Sequence, residues 1–195
     1  MKRILSLFLV MILMLAFVAC GDKSATDTTK PDGDTGDSIW GKLVKEEHYD
    51  NVTIVCDATF LSGYEYAEPE NSNTFKFDGD AASIDGELAD RQATESLKAV
   101  YHGLVQEILS KNDGFIYDKD ADTYLHKDDI TCAVNSMGYE TDITVRNVVI
   151  TLDSDGELSK IACEMDQAFV ADGEQMKYVL NVEFTFSDFG TTVVE

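Results

Sequence analysis

Residues able to do chemistry are few in this chain. Its 195 residues include three histidines, His48, His102 and His126, and four cysteines, Cys20, Cys56, Cys132 and Cys163. No histidine stands in a Gly-x-Ser-x-Gly, His-Glu-x-x-His or phosphate-loop context, where spacing alone would place a nucleophile, a metal or a phosphate. His102 falls on the polar side of a helical pattern and His126 follows a strand pattern, so both are expected in solvent. Paired carboxylates could hydrolyse glycosides. With 37 acidic residues, however, pairs arise anywhere, and spacing in sequence does not set the roughly 5–10 Å separation that reaction needs. The reading is a non-enzymatic protein with no cofactor.

One acidic stretch has the outline of a calcium loop. Asp118, Asp120 and Asp122 alternate, and Asp129 falls at the twelfth position. Such a loop needs Gly at its sixth place and a bidentate Glu at its twelfth. Thr123 and Asp129 stand there instead, and the flanks read as strands. A hairpin tip explains the run more simply, with calcium as the alternative. The cysteines show no zinc spacing. Cys56 alternates with Ile54 and Ala58, and Cys163 with Ile161 and Met165, so both are expected to face a core as free thiols.

Cys20 has a different setting. Met1-Lys2-Arg3 is a charged start, Ile4 to Val18 is apolar apart from Ser6, and Ala19 is small. That is the layout of a secretory leader. The apolar run is shorter than the ~20 residues a spanning helix needs. Phe17-Val18-Ala19-Cys20-Gly21 resembles the lipobox of bacterial lipoproteins, with Phe17 in place of the usual Leu. The resemblance implies cleavage after residue 19 and a lipid on the Cys20 sulfur. Two or more acyl chains hold a protein stably on a bilayer where one does not. The expected location is the extracytoplasmic face of the bacterial cell membrane. Residues 21–38, GDKSATDTTKPDGDTGDS, are too polar to order themselves. With Cys20 they form a tether that, as a flexible coil, spans roughly 25 Å.

One domain over residues 38–195 must then hold whatever the protein binds. Ile39, Trp40, Leu43 and Val44 make one stripe of a short helix, with Trp40 a core anchor. NVTIVCDATFL (51–61) alternates as a strand, and GYEYA, TFKFDG and ASIDG follow as short pieces. Over residues 91–111 the period changes. Ala93, Leu97, Val100, Tyr101, Leu104, Val105, Ile108 and Leu109 recur at three- and four-residue steps, predicting an amphipathic helix. FIYDKDADTYLH then reads as a hairpin, and ITCAVNSMG, DITVRNVVITLD, ELSKIACEMDQAFV and QMKYVLNVEFTFSDF as strands. In the last, Met176, Tyr178, Leu180, Val182, Phe184 and Phe186 share one face, and polar residues fill most of the other. One dry and one wet face marks an antiparallel sheet, so the class is α+β with helices on the dry face.

Charge narrows the partners. Net charge is −22, and with Lys2 and Arg3 gone in the leader 13 basic residues face 37 acidic ones, a balance of −24. Nucleic-acid affinity comes from Lys and Arg on phosphates, and polybasic docking to anionic lipid needs the same residues. Neither is expected.

Asn51-Val52-Thr53-Ile54, Phe75-Lys76-Phe77-Asp78-Gly79, Asp155-Gly156-Glu157-Leu158 and the closing Phe184 to Val194 resemble a group of small lipoproteins from Firmicutes. Those resemble the LolA/LppX-like fold. The resemblance implies a strongly curved antiparallel sheet, a half-barrel with helices packed on its concave face, and a capacity to bind acyl chains between the two. It covers residues 38–195 and brings no catalytic residue. Two functions follow as expectations. The first is a membrane-anchored protein binding a lipid or other apolar ligand, lined by Leu97, Val100, Tyr101, Leu104, Val182, Phe184 and Phe186. The alternative is a cell-envelope interaction or adhesion module with no internal ligand, for which Tyr64, Tyr66, Tyr124 and Tyr139 are candidate surface aromatics.

Overall fold

A computed structural model describes residues 39–62, 70–136, 139–171 and 174–194. The leader, Cys20 and the tether lie outside these residues, as do Tyr64 and Tyr66 in the predicted GYEYA strand.

Alternation in the sequence becomes one antiparallel sheet. Strands β1 (Asn51–Ser62), β2 (Glu70–Asp78), β3 (Ala81–Ile84) and β4 (Glu87–Leu88) precede a long helix, and β5 (Phe115–Asp118), β6 (Thr123–His126), β7 (Ile130–Ser136), β8 (Tyr139–Leu152), β9 (Leu158–Ala171) and β10 (Glu174–Ser187) follow it. The order across the sheet is β4-β3-β2-β1-β10-β9-β8-β6-β5, with β7 also paired to β8. The sheet does not close, because β4 and β5 end it on opposite sides. Its centre joins the first and last strands: Ile54 sits opposite Phe186, and Cys56 opposite Phe184.

Two helices lie on one side of this sheet. α1 (Ile39–Leu43) is the predicted apolar stripe, and α2 (Arg91–Ser110) the predicted amphipathic helix. The side chain of Asp90 accepts a hydrogen bond from Ala93 N at 2.8 Å and caps α2, a contact worth about 1 kcal/mol. Leu97, Val105, Ile108 and Leu109 are buried against Val52, Ile54, Phe75, Phe77, Ile150 and Ile161 from the strands. This helix side contains the core. Trp40 stacks on Phe115 at 5.2 Å and meets Tyr124 edge-on at 5.3 Å, so it is the anchor the sequence indicates.

The segment between α1 and β1 is tied down by charge. Lys42 and His48 both reach Glu157 in the β8–β9 turn. His48 Nε2 lies 2.8 Å from Glu157 Oε2, close enough to pair but without hydrogen-bond alignment. Burial lowers the His48 pKa below its ordinary value, partly offset by the Glu157 charge. His48 also stacks on Phe189 at 4.8 Å. No helix among the described residues is long and apolar enough to cross a membrane.

Candidate functional site

The residues expected to line an apolar groove are brought together in one buried cluster. Leu97, Tyr101, Val182, Phe184 and Phe186 are all buried, and Leu104 is half-buried against the same cluster. The side chain of Val100 is outside the described set. Tyr101 projects from α2 onto the sheet, its ring 4.3 Å from that of Phe75 and 6.1 Å from that of Phe184. Burial raises its hydroxyl well above the usual tyrosine range, with the Cys56 thiol beside it adding to the shift. Cys56 and Cys163 are free, and burial pushes both thiols up to about 12. Strand β10 lies between theirs, so no bridge forms, because a disulfide requires Cα atoms within about 7 Å.

Two histidine placements differ from expectation. His102 is buried, not solvated, at 3% exposure, with its ring 5.0 Å from Phe77 and 6.2 Å from Tyr49. The reason is geometric. His102 lies one position past Tyr101 on the same stripe as Val105 and Leu109, and the turn at residues 46–49 covers that flank. Burial, then the charge of Lys98, lowers its pKa to about 4, and Asp50 opposes them. Its Nε2 has no hydrogen-bond partner. His126 is also buried, wedged beneath Gly114. A Cβ on Gly114 would fall 2.0 Å from His126 Nε2. His126 Nδ1 lies 2.6 Å from the Asp128 carbonyl oxygen and Nε2 3.2 Å from that of Lys111. Both histidines serve packing, which a polar residue type conceals in sequence.

The acidic hairpin does not gather into a metal site. Asp118 Oδ1 accepts from the backbone of Asp120 and Ala121. Asp122 accepts from the Tyr117 hydroxyl at 2.7 Å, and Asp129 pairs with Arg146. Asp120 is exposed and reaches none of them through its side chain. Among the described residues no group of three or more His, Cys, Asp or Glu is placed to hold a metal ion. Of the candidate surface tyrosines, Tyr124 packs against Trp40 and Tyr117 on the helix side. The side chain of Tyr139 is outside the described set.

Among the described residues, open space occurs on the side of the sheet opposite the helices. A depression of about 470 Å³ lies over the central strands, with Asp57, Thr59, Asn147, Glu164, Asn181 and Glu183 on its walls. It forms where the β8–β9 register shifts between Arg146 and Val149, and Asn147 takes a left-handed φ of 52° there. A bulge of this kind bends a strand and re-aims side chains. Much of its acidic charge is internally matched. Arg146 pairs with Glu164 and Asp166, and Lys160 with Glu183 at 2.8 Å.

A second hollow, of about 450 Å³, lies under the C-terminal tail. The tail folds back over β1, held by Asn51, which donates to Thr192 O and accepts from Thr192 N, and by Thr53 Oγ1 at 3.1 Å from Thr192 Oγ1. Lys76 from β2, Ser83 from β3, Gly86 and Asp188 line this hollow. None was singled out in sequence. In sequence, Asp188 falls in the last strand pattern and within the closing Phe184 to Val194 stretch, neither of which marks a hollow. No protein-family model and no curated protein matches this chain.

Proposed function

We propose that this protein is a lipid-anchored module of the bacterial cell envelope that meets its partner on the open side of its sheet, with no ligand in its interior. The observation that carries this reading is the placement of space. The described hollows lie opposite the helices, whereas the residues best suited to hold an acyl chain are packed against one another. Ligand sites are concave, commonly about 300–1,000 Å³, and both hollows are of that size. The anchor is Cys20 and the tether runs to residue 37, as the lipobox resemblance implies. The sheet is proposed to curve as a half-barrel with α2 in its concavity, and the confinement of α1 and α2 to one side supports that shape.

The second reading is a carrier whose interior opens to admit a lipid. It draws on the apolar alternation of β10 and on the resemblance to lipoprotein carriers. The two readings separate on one experiment. The protein is purified from membranes, and its non-covalently held lipids are counted by mass spectrometry. None at stoichiometric level supports the envelope module, and one per chain supports the carrier.

A further inference from the structure

Unmatched charges face the hollow beneath the C-terminal tail. Lys76 and Asp188 both line it; among the described residues neither has an ion-pair partner, and the Asp188 carboxylate accepts a hydrogen bond from the Ser187 hydroxyl at 3.0 Å. Ser83 also lines it. That residue is only 3% exposed overall, and it forms part of the wall of the hollow.

These groups sit on a defined frame. Thr53, Lys76 and Ser83 are successive cross-strand neighbours on β1, β2 and β3, all on the open side. Asp188 approaches from the end of β10 with φ of 58°. Its backbone oxygen accepts from the amides of Thr191 at 3.0 Å and Thr192 at 3.1 Å. The left-handed turn therefore holds both the carboxylate and the tail over the row. A left-handed non-glycine residue costs on the order of 1 kcal/mol or more and persists where surrounding contacts hold it.

We propose that this hollow binds a small zwitterion of the α-amino-acid type, with its carboxylate at Lys76 and Ser83 and its ammonium at Asp188. A bare anion would face the Asp188 carboxylate unpaired, and a bare cation the Lys76 ammonium. A neutral sugar would leave both charges unmatched and would find no aromatic ring on the walls to stack against. A molecule carrying both charges a few ångströms apart satisfies both groups and the Ser83 hydroxyl. The volume of about 450 Å³ accommodates an amino acid with room for its side chain. This inference rests on the reading that the open side receives the ligand.

The test is amide NMR of the ¹⁵N-labelled full chain titrated with glycine, L-alanine and D-alanine, with acetate and ethylamine as single-charge probes. At least one of the three zwitterions shifts the Ser83, Gly86, Thr191 and Thr192 amides saturably, and acetate or ethylamine alone does so at least about tenfold more weakly. Lys76→Gln and Asp188→Asn each weaken the zwitterion about tenfold or more, the scale expected for a lost charge-assisted hydrogen bond. Silence of these amides with all three zwitterions overturns the site. Equal shifts with acetate, or full binding by Asp188→Asn, also overturn it. Addition of a fatty acid in the same series reads different peaks. Saturable shifts at Leu97 and Val182 would overturn the open-side reading itself, so the two failures remain distinct.

Discussion

The ring of Tyr101 on α2 lies 4.3 Å from the ring of Phe75 on β2, centroid to centroid, and meets Phe184 of β10 edge-on at 6.1 Å. One side chain thus joins the helix to two strands within the buried cluster. Tyr101→Ala is expected to destabilise the domain by about 3–5 kcal/mol, the cost of removing a buried aromatic and leaving a cavity. Where the variant remains folded, the vacated space should bind an apolar dye that the native chain does not. Urea denaturation and dye fluorescence measure the two effects. A native chain that already binds the dye saturably contradicts the proposal of an interior without a ligand.

Burial governs the thiols. With Cys20 and Cys132 replaced by serine, only Cys56 and Cys163 remain, both with pKa pushed up to about 12. The thiolate is the reactive form, so at mildly alkaline pH a disulfide reagent should leave both untouched until denaturant is added. Rapid reaction of either thiol in the folded chain would show that it is accessible.

His102 makes stability depend on pH. Its folded pKa is about 4 against 6.5 when free, so the unfolded chain binds its proton first as pH falls. Stability is therefore fully present above pH ~6.5 and is lost as pH drops towards ~4, by about 2–3 kcal/mol from this residue. His102→Leu, facing Phe77 and Tyr49, should flatten this part of the profile. Urea midpoints at near-neutral and mildly acid pH test it. An unchanged acid slope in the variant would assign the loss to other groups, of which His48 is the first to examine because burial lowers it too.

Gly114 leaves room for a ring. Its added Cβ would fall 2.0 Å from His126 Nε2, and the ring is held by carbonyl oxygens on both sides. Gly114→Ala should cost about 1–3 kcal/mol by overpacking. Gly114→Ala combined with His126→Ala should recover part of that loss, since the clash is with the ring. No recovery would place the strain in the backbone.

How much could be read from the chain alone divides by the kind of signal. Period-two alternation in residues 51–61 and 175–189 placed β1 and β10, the latter running two residues past its observed end, and the change of period placed α2 within one residue of its end. Those patterns report burial on one side, which local sequence carries. His102 and His126 were misplaced because their burial comes from segments distant in sequence: the turn at residues 46–49 over one and Gly114 over the other. The hollow of Lys76, Ser83 and Asp188 was invisible for a similar reason. It exists only because the C-terminal tail returns to Asn51 and Thr53, and no local pattern encodes that return. Nor does alternation distinguish a lined groove from a packed core, since both require apolar residues at every second place.

Mass spectrometry of the intact protein, purified from membranes under non-denaturing conditions, tests the central claim most directly. The account predicts a species carrying its covalent lipid at Cys20 and no other. A second lipid held non-covalently, one per chain and released on unfolding, would contradict it.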